Sequence, residues 1–205
     1  MGDGIKGEKM KKKILISTIV LASIIGCGGG GTTTTPSEIT GTSNQDYTNT
    51  ITDAQKQDFL DAINDARAHD QDCGTEGVFS ATTALTWSDA LYNAAYEHSK
   101  DMAESNTFDH DGSGTATDIT ATKNDLDRGS HPHERVKYNG YNYSRTGENI
   151  AAGQTTLAEV IDGWLKSDGH CANLMNPNYE DAGMSYYYKD SSTYKHYWTQ
   201  NFGAK

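Results

Sequence analysis

Two stretches decide how this sequence is interpreted: GENIAAG at residues 147–153 and WLKSDGHCANLM at residues 164–175. The segment between them opens with the capping box Thr156-Leu157-Ala158-Glu159, a signature of a helix N-terminus. Apolar residues then recur at helical spacing, so we predict a helix from Thr156 to about Ser167. The two stretches therefore place a carboxylate, amides and an imidazole close to regular secondary structure.

The sequence on either side predicts two further helices and two strands. Thr52 and Ser88 precede apolar residues at helical spacing, which predicts helices at about 53–69 and 89–105. Period-two alternation predicts strands at 182–188 and 194–202, joined by a hairpin loop at 189–192. We expect a loop at 70–83 and irregular surface structure at 111–145. Elements in this order favour an α+β fold with helices on both faces of an antiparallel sheet.

Four segments in a fixed order carry a family resemblance: EHSKDM at 97–102 leading to FDH at 108–110, TGENIAAG at 146–153, the stretch at 164–175, and YWTQNF at 197–202. Over about residues 52–203 the chain resembles the bacterial branch of the CAP superfamily. These are SCP-like extracellular proteins related to cysteine-rich secretory and pathogenesis-related proteins. The resemblance implies a three-layer α-β-α sandwich with a central antiparallel sheet and a cleft lined by His and Glu.

The family cleft holds two His and two Glu, and the resemblance assigns them residue by residue. His110 matches the first His, and Glu148 matches the Glu of Gly-Glu-Asn. The second Glu aligns with Ser167 and the second His aligns near Tyr197, so neither is retained. His170, one helical turn beyond Ser167, is expected to occupy that part of the cleft instead.

The resulting set of His110, Glu148 and His170 admits two interpretations. Two imidazoles and a carboxylate with open positions form a known catalytic zinc arrangement, in which the metal lowers the pKa of a bound water. The same residues can instead form a hydrogen-bonded network without metal. In either case we expect Asn149 and Asn173 to brace the cleft, with Ser167, Tyr197 and Gln200 as further supporting residues.

Two other histidine positions are weaker candidates. His98 lies on an apolar helical stripe with Leu91, Ala95 and Met102, which favours a buried core histidine over a metal ligand. His131-Pro132-His133-Glu134 has ligand-type side chains, but it lies within the segment expected to be irregular. Neither position changes the choice of the main cleft.

The N-terminal region has the pattern of an export signal. Met10-Lys11-Lys12-Lys13 precedes an uncharged apolar run at 14–26, too short for a membrane-spanning helix. The run ends at Cys27 in a pattern that resembles a bacterial lipobox, although an ordinary signal with an incidental Cys is the alternative. We therefore divide the chain into a signal peptide at 1–26, a lipidated, Gly- and Thr-rich tether at 27–50, and a CAP domain at 51–205. An alternative is that translation starts at Met10.

Cysteine usage and charge narrow the expected environment. With Cys27 lipidated, Cys73 and Cys171 remain and are expected to pair in an exported protein; a Cys171 thiol nucleophile is the disfavoured alternative. From Cys27 onward 12 basic residues stand against 26 acidic ones, a balance of −14. Nucleic acid is therefore not an expected partner, because phosphate binding needs a basic face.

These observations favour an exported protein held at the cell envelope by a lipid on Cys27. In proteins of this type Gly28 after the lipidated Cys favours the outer membrane, where a cell has one. The favoured function is a binding module for a lipid, a small molecule or a protein partner, with zinc as a possible cofactor. The alternatives are a metal-dependent, peptidase-like hydrolase that uses the same cleft, and a purely structural envelope protein.

Overall fold

Capping side chains determine where the first two long helices begin. The computed structural model describes residues 51–205, so the signal peptide at 1–26, Cys27 and the tether at 27–50 lie outside the described residues. Helix α1 spans Asp53–Arg67 and begins with a complete capping box between Thr52 and Gln55. Helix α2 spans Asp89–Ser105, and the side chain of Ser88 accepts a hydrogen bond from its first turn. Both predicted helices are confirmed.

The sheet has four strands in the order β3-β5-β6-β4. Their bounds are Thr86–Trp87 for β3, Arg145–Ala152 for β4, Asp181–Tyr188 for β5 and His196–Ala204 for β6. Strands β5 and β6 form the predicted antiparallel pair, β4 joins them as a further antiparallel strand that was not predicted, and the two-residue β3 pairs with β5 in parallel. The sheet is therefore mixed at one edge, and β4 forms the other edge.

Helices cover both faces of the sheet, so β6 is buried from Tyr197 to Ala204. Helix α2 packs on one face, where Met102, Ile150 and Tyr197 form a cluster. On the other face α1 and the helix α5, Leu157–Leu165, pack around a larger core that includes Trp164, Trp198 and Phe202. The predicted three-layer α-β-α arrangement is confirmed.

Glycine permits the close approach of α2 to the sheet. A Cβ atom on Gly183 of β5 would lie 2.1 Å from the backbone nitrogen of Tyr92. Backbone atoms cannot yield as a flexible side chain can, so any larger residue at Gly183 would force the helix and the strand apart.

The segment at 111–145 is more regular than expected. It contains helix α3, Ile119–Lys123, and helix α4, Pro132–Tyr138. The buried carboxylate of Asp118 caps α3 at Ala121 and also accepts hydrogen bonds from Ser130. Helices this short have no apolar periodicity to detect, which is why the sequence pattern missed them.

Two other segments also differ from expectation. The single helix predicted at 156–167 is followed by a second helix, α6, at Asp168–Leu174, because Ser167 adopts an extended conformation between them. The predicted loop at 70–83 contains strands β1, Gln71–Asp72, and β2, Val78–Phe79, with a 3₁₀ turn between them. Residues 51–205 contain no helix long and apolar enough to cross a membrane.

The predicted disulfide joins these two segments. Cys73 bonds to Cys171 across a sequence separation of 98 residues and links the β1–β2 hairpin to α6. A polar contact lies beside it, since the backbone nitrogen and hydroxyl of Thr75 both donate to the carboxylate of Asp168. The alternative of a Cys171 thiol nucleophile is wrong, because its sulfur is bonded to Cys73.

Candidate binding cleft

The cleft lies at the exposed edge of the sheet and is a cavity of about 740 Å³. Strand β4 and helix α6 supply its inner wall, and β2 and the turn after α6 supply its rim. The lining residues anticipated from the sequence are His110, Glu148, Asn149, Ser167, His170 and Asn173. The structure thus brings together the three principal candidates and three of their supporting residues.

Adjacent residues of β4 reach the cleft from opposite faces of the sheet. Glu148 contacts Arg135 of α4, on the same side as α2. Asn149 points to the other side, where its amide donates to the carbonyl of His170 in α6. Successive side chains of a strand alternate between faces, and because β4 lies at the sheet edge, one cavity at that edge reaches both residues.

Glu148 is a buried carboxylate fully engaged by neighbouring side chains, being 2% exposed. The Nη2 atom of Arg135 donates to its Oε2 and Oε1 at 3.0 and 3.2 Å, and His110 Nδ1 lies 3.0 Å from Oε1. Burial opposes ionisation, but Arg135, His98 and the His110 hydrogen bond prevail and lower the pKa of Glu148 to about 2. The group is therefore an anion paired within the protein.

The two cleft histidines are held in different ways. His110 is 48% exposed, and the hydrogen bond that its Nδ1 donates to Glu148 is the main cause of its raised pKa. His170 shares a 2.8 Å hydrogen bond between Nδ1 and Ser167 Oγ. Burial and then the nearby His110 charge lower the pKa of His170, which keeps its ring neutral at pH 7. In both rings Nδ1 is the atom bound to the protein, so Nε2 is the atom left for a ligand.

An amide network braces the cleft floor. Asn173 Nδ2 donates to Glu148 O and Asn149 Oδ1, both at 3.0 Å, and Asn173 Oδ1 accepts from the Tyr179 hydroxyl. Asn149 Nδ2 also donates to Gln200 Oε1 at 3.0 Å. The two asparagines therefore tie α6 to β4.

Gln200 and Tyr197 do not line the cavity. Gln200 is fully buried and meets Asn149 behind the cleft. Tyr197 is fully buried in the cluster on the α2 face with Met102 and Ile150. Residue 197 alternates to the face opposite residues 198 and 200, and this register directs its ring away from the cleft.

Four residues that contribute to the site lie outside the motifs recognised in the sequence. Arg135 lies in the segment expected to be irregular, and Phe79 in the segment expected to be a loop. Asn176 and Asn178 form the rim, where the backbone nitrogen of Asn178 donates to Asn176 Oδ1. These two asparagines directly follow the 164–175 stretch, and that adjacency was the only signal that pointed to them.

The donor atoms do not gather around a common metal position. Within residues 51–205, no group of three or more His, Cys, Asp or Glu side chains is placed to hold a metal ion. Glu148 faces Arg135 and His110, so its carboxylate is not free to join the two imidazole Nε2 atoms as a third donor. The three-donor zinc arrangement therefore does not fit this geometry.

The outlying histidines have ordinary structural roles. His98 is fully buried, and its Nε2 lies 2.9 Å from the carbonyl oxygen of Asp109, as expected for a core histidine. His131 Nδ1 lies 2.7 Å from Asp111 Oδ1, and its ring stacks on His133.

His98 predicts a loss of stability in mild acid. Burial, followed by the Arg135 charge, lowers its pKa to about 4 from the ordinary histidine value of 6.5. The unfolded chain thus binds the extra proton first, and the free energy of unfolding falls as the pH drops from about 6.5 to about 4. The full change is about 3 kcal/mol at 1.36 kcal/mol per pKa unit.

Urea unfolding of the wild type and His98→Gln between pH 4 and 8 measures this contribution. The two proteins differ only at residue 98, so the difference between the two curves isolates His98. His110 changes in the opposite sense, because its raised pKa stabilises the fold below pH 6.5 and that contribution is lost as the pH rises through its folded pKa. Parallel curves for the two proteins would contradict the prediction.

Comparison with known proteins supports the same family. The family described as "CAP: Cysteine-rich secretory protein family" matches residues 60–202. The uncharacterized protein YkwD of Bacillus subtilis is 33% identical over 117 residues, which is 57% of this chain and 38% of YkwD. The uncharacterized membrane protein YlbC of the same organism is 30% identical over 118 residues, covering 58% of this chain and 28% of YlbC.

A solved structure agrees with the fold. An extracellular protein containing an SCP domain from Bacillus anthracis superposes with a TM-score of 0.53 and 25% identity, covering 76% of this chain and 45% of that protein. The chain thus spans less than half the length of each of these three relatives. With the α-β-α sandwich and the family match over residues 60–202, the conclusion is that this chain belongs to the CAP family of cysteine-rich secretory proteins.

Proposed function

We propose that this chain is an exported, membrane-anchored binding module whose cleft takes a small, uncharged polar ligand. One observation carries the proposal: among the described residues that line the cavity, the only carboxylate is that of Glu148, and it is already paired with Arg135. The groups left for a ligand are imidazole nitrogens, the rim amides of Asn176 and Asn178, and the ring of Phe79. A cavity of about 740 Å³ also falls within the range of about 300–1,000 Å³ usual for small-molecule sites.

Preorganisation of the cleft supports a binding role. The amide network of Asn149 and Asn173 fixes α6 against β4, and the disulfide fixes the hairpin that carries Phe79. A wall held in place before the ligand arrives loses less conformational entropy on binding. Such a cleft is suited to recognising a small ligand with several hydrogen-bonding groups.

The hydrolase alternative is less well supported. It requires a metal-bound water or an activated nucleophile next to the substrate. Glu148 is engaged by Arg135 and His110, and the sulfur of Cys171 is bonded to Cys73. We therefore favour binding over hydrolysis as the function of this cleft.

A panel of small probes tests the binding proposal. The full-length, ¹⁵N-labelled chain is titrated with N-acetylglucosamine and N-acetylalanine methylamide as uncharged probes, and with acetate and methylammonium as charged ones. We expect the uncharged probes to shift the amide signals of Phe79, His170 and Asn178. Asn178→Ala should weaken the effect, while Asn142→Ala, an exposed change outside the cavity, should not.

Two results would refute the proposed ligand class. One is the absence of cleft shifts with either uncharged probe, and the other is an equal response to acetate or methylammonium. Vesicles of phosphatidylcholine and phosphatidylglycerol extend the test to lipids. Shifts at the cleft with vesicles alone would replace the small-molecule proposal with lipid binding.

Export and anchoring complete the proposal. The basic start at 10–13, the apolar run at 14–26 and Cys27 support a lipidated signal sequence. The name of the Bacillus anthracis protein describes it as extracellular, and that of YlbC describes a membrane protein. Both locations agree with a domain outside the cytoplasm that is held near a membrane.

Cys27→Ser is expected to release the protein from the membrane. The serine hydroxyl cannot form the thioether that carries the lipid, so the chain should move from the membrane pellet to the soluble fraction. Metabolic labelling with an alkyne fatty acid, followed by fractionation, measures both effects. Ser23→Ala is the matched control and should keep both the label and the pellet location. A labelled or membrane-bound Cys27→Ser protein would contradict lipidation at this position.

A further inference from the structure

Arg135 is a buried guanidinium at the back of the cleft, with a side chain 1% exposed. Its Nη1 atom donates to Ser130 O at 2.7 Å, and its Nη2 donates to His110 O at 2.8 Å. Nη2 also contacts both carboxylate oxygens of Glu148. Arg135 therefore holds the backbone beside His110 and the side chain of Glu148 at the same time.

These contacts engage the carboxylate that a cation would require. Oε1 of Glu148 accepts from His110 Nδ1 and Arg135 Nη2, and Oε2 accepts from Arg135 Nη2. A divalent ion bound to either oxygen, at about 2.0–2.2 Å for zinc, would lie within a few ångströms of the guanidinium. Its charge would be repelled by the positive guanidinium, which is fixed in place by these hydrogen bonds.

We propose that Arg135 acts as an internal cation that compensates Glu148 and excludes a divalent metal from the cleft. The pair Arg135–Glu148 has no net charge, so the cavity offers a metal little electrostatic attraction. Arg135 is thus a positioning residue, since it orients Glu148 and through it the ring of His110. The inference rests on the proposed function and deepens it, because it makes binding of an uncharged ligand independent of metal.

Zinc titration of the full-length chain tests this role directly. EDTA-stripped wild type, His110→Ala, Arg135→Met and Arg135→Lys are each titrated with zinc chloride by calorimetry. Each protein is also titrated with His110→Ala added. Cleft binding is the saturable heat that disappears on this addition, whereas heat from zinc bound at His131 and His133 remains. Arg128→Met is the matched control, because Arg128 forms an exposed pair with Glu134.

We expect no cleft binding of zinc in the wild type or in Arg128→Met. Removing the internal cation in Arg135→Met should make cleft binding measurable, with an affinity at least about 10-fold above the detection limit that bounds the wild type, the lower end of typical effects of outer-shell residues on metal sites. Arg135→Lys keeps a positive charge and should keep zinc out. The added His110→Ala change should abolish the gain in Arg135→Met.

Wild-type cleft binding of zinc would overturn the inference, whether or not Arg135→Met folds. A folded Arg135→Met protein, verified by circular dichroism, with unchanged cleft affinity would overturn it as well. The proposed function fails separately, through the probe titrations. If the cleft binds neither zinc nor any uncharged probe, the inferred role of Arg135 stands and only the proposed class of ligand is refuted.

Discussion

Replacing both Cys73 and Cys171 by alanine is expected to lower the free energy of unfolding by about 4–5 kcal/mol. The bond closes a loop of 98 residues, and the chain-entropy model assigns a loop of this length about that stabilisation. The loss would be a large part of the net stability of a typical domain, about 5–15 kcal/mol. Urea unfolding monitored by tryptophan fluorescence measures the change.

The comparison is made in a Cys27→Ser background so that no third thiol forms another pair. The reduced wild type is a second way to open the loop and should match the double alanine variant. Phe79 and His170 lie on the two segments that the disulfide joins, so cleft amides should also broaden in the variant's NMR spectrum. A stability loss below about 1 kcal/mol would show that the remaining contacts, such as Thr75–Asp168, suffice.

Arg135→Met is expected to cost about 3–5 kcal/mol of stability, because it leaves the buried carboxylate of Glu148 without its cation. The corresponding exposed change, Arg128→Met, should cost no more than about 1 kcal/mol. Both arginines pair with a glutamate, but the side chain of Arg135 is 1% exposed and that of Arg128 is 43% exposed. The contrast isolates the effect of burial.

A double-mutant cycle tests the explanation. Glu148→Gln removes the negative charge, so Arg135→Met should cost less in a Glu148→Gln background than in the wild type. Urea unfolding at pH 7 gives all four free energies. Additive effects of the two substitutions would contradict an ion pair between them and would leave only the lost packing of Arg135.

The structure brings together the principal residues predicted from the sequence but leaves Tyr197 and Gln200 outside the cavity, and the sequence did not show how the lining residues interact. His110, Glu148 and His170 do line one cavity, and Asn149 and Asn173 do brace it. The motif could not show that Glu148 is engaged by an arginine from a helix 13 residues earlier. Pairing across space depends on how α4 crosses β4, and no spacing within the motif encodes that crossing.

Local chemistry determined much of this protein. Thr52 and Ser88 set the starts of α1 and α2, because the first backbone amides of a helix need a side-chain acceptor. Alternating residues marked β5 and β6, and the two cysteines that remain beside Cys27, in a chain expected to be exported, indicated the bond that forms between them. These features depend on neighbouring residues or on residue type alone, so the sequence was sufficient.

Tertiary structure alone decided the electrostatics of the cleft. It placed Arg135 against Glu148, turned Tyr197 to the opposite face of the sheet and brought Phe79 to the rim. The helices α3, α4 and α6 have only five to seven residues and carry too few turns for a periodic signal. Their positions follow from long-range packing and from buried polar groups that must find partners, and those partners exist only once the chain has folded.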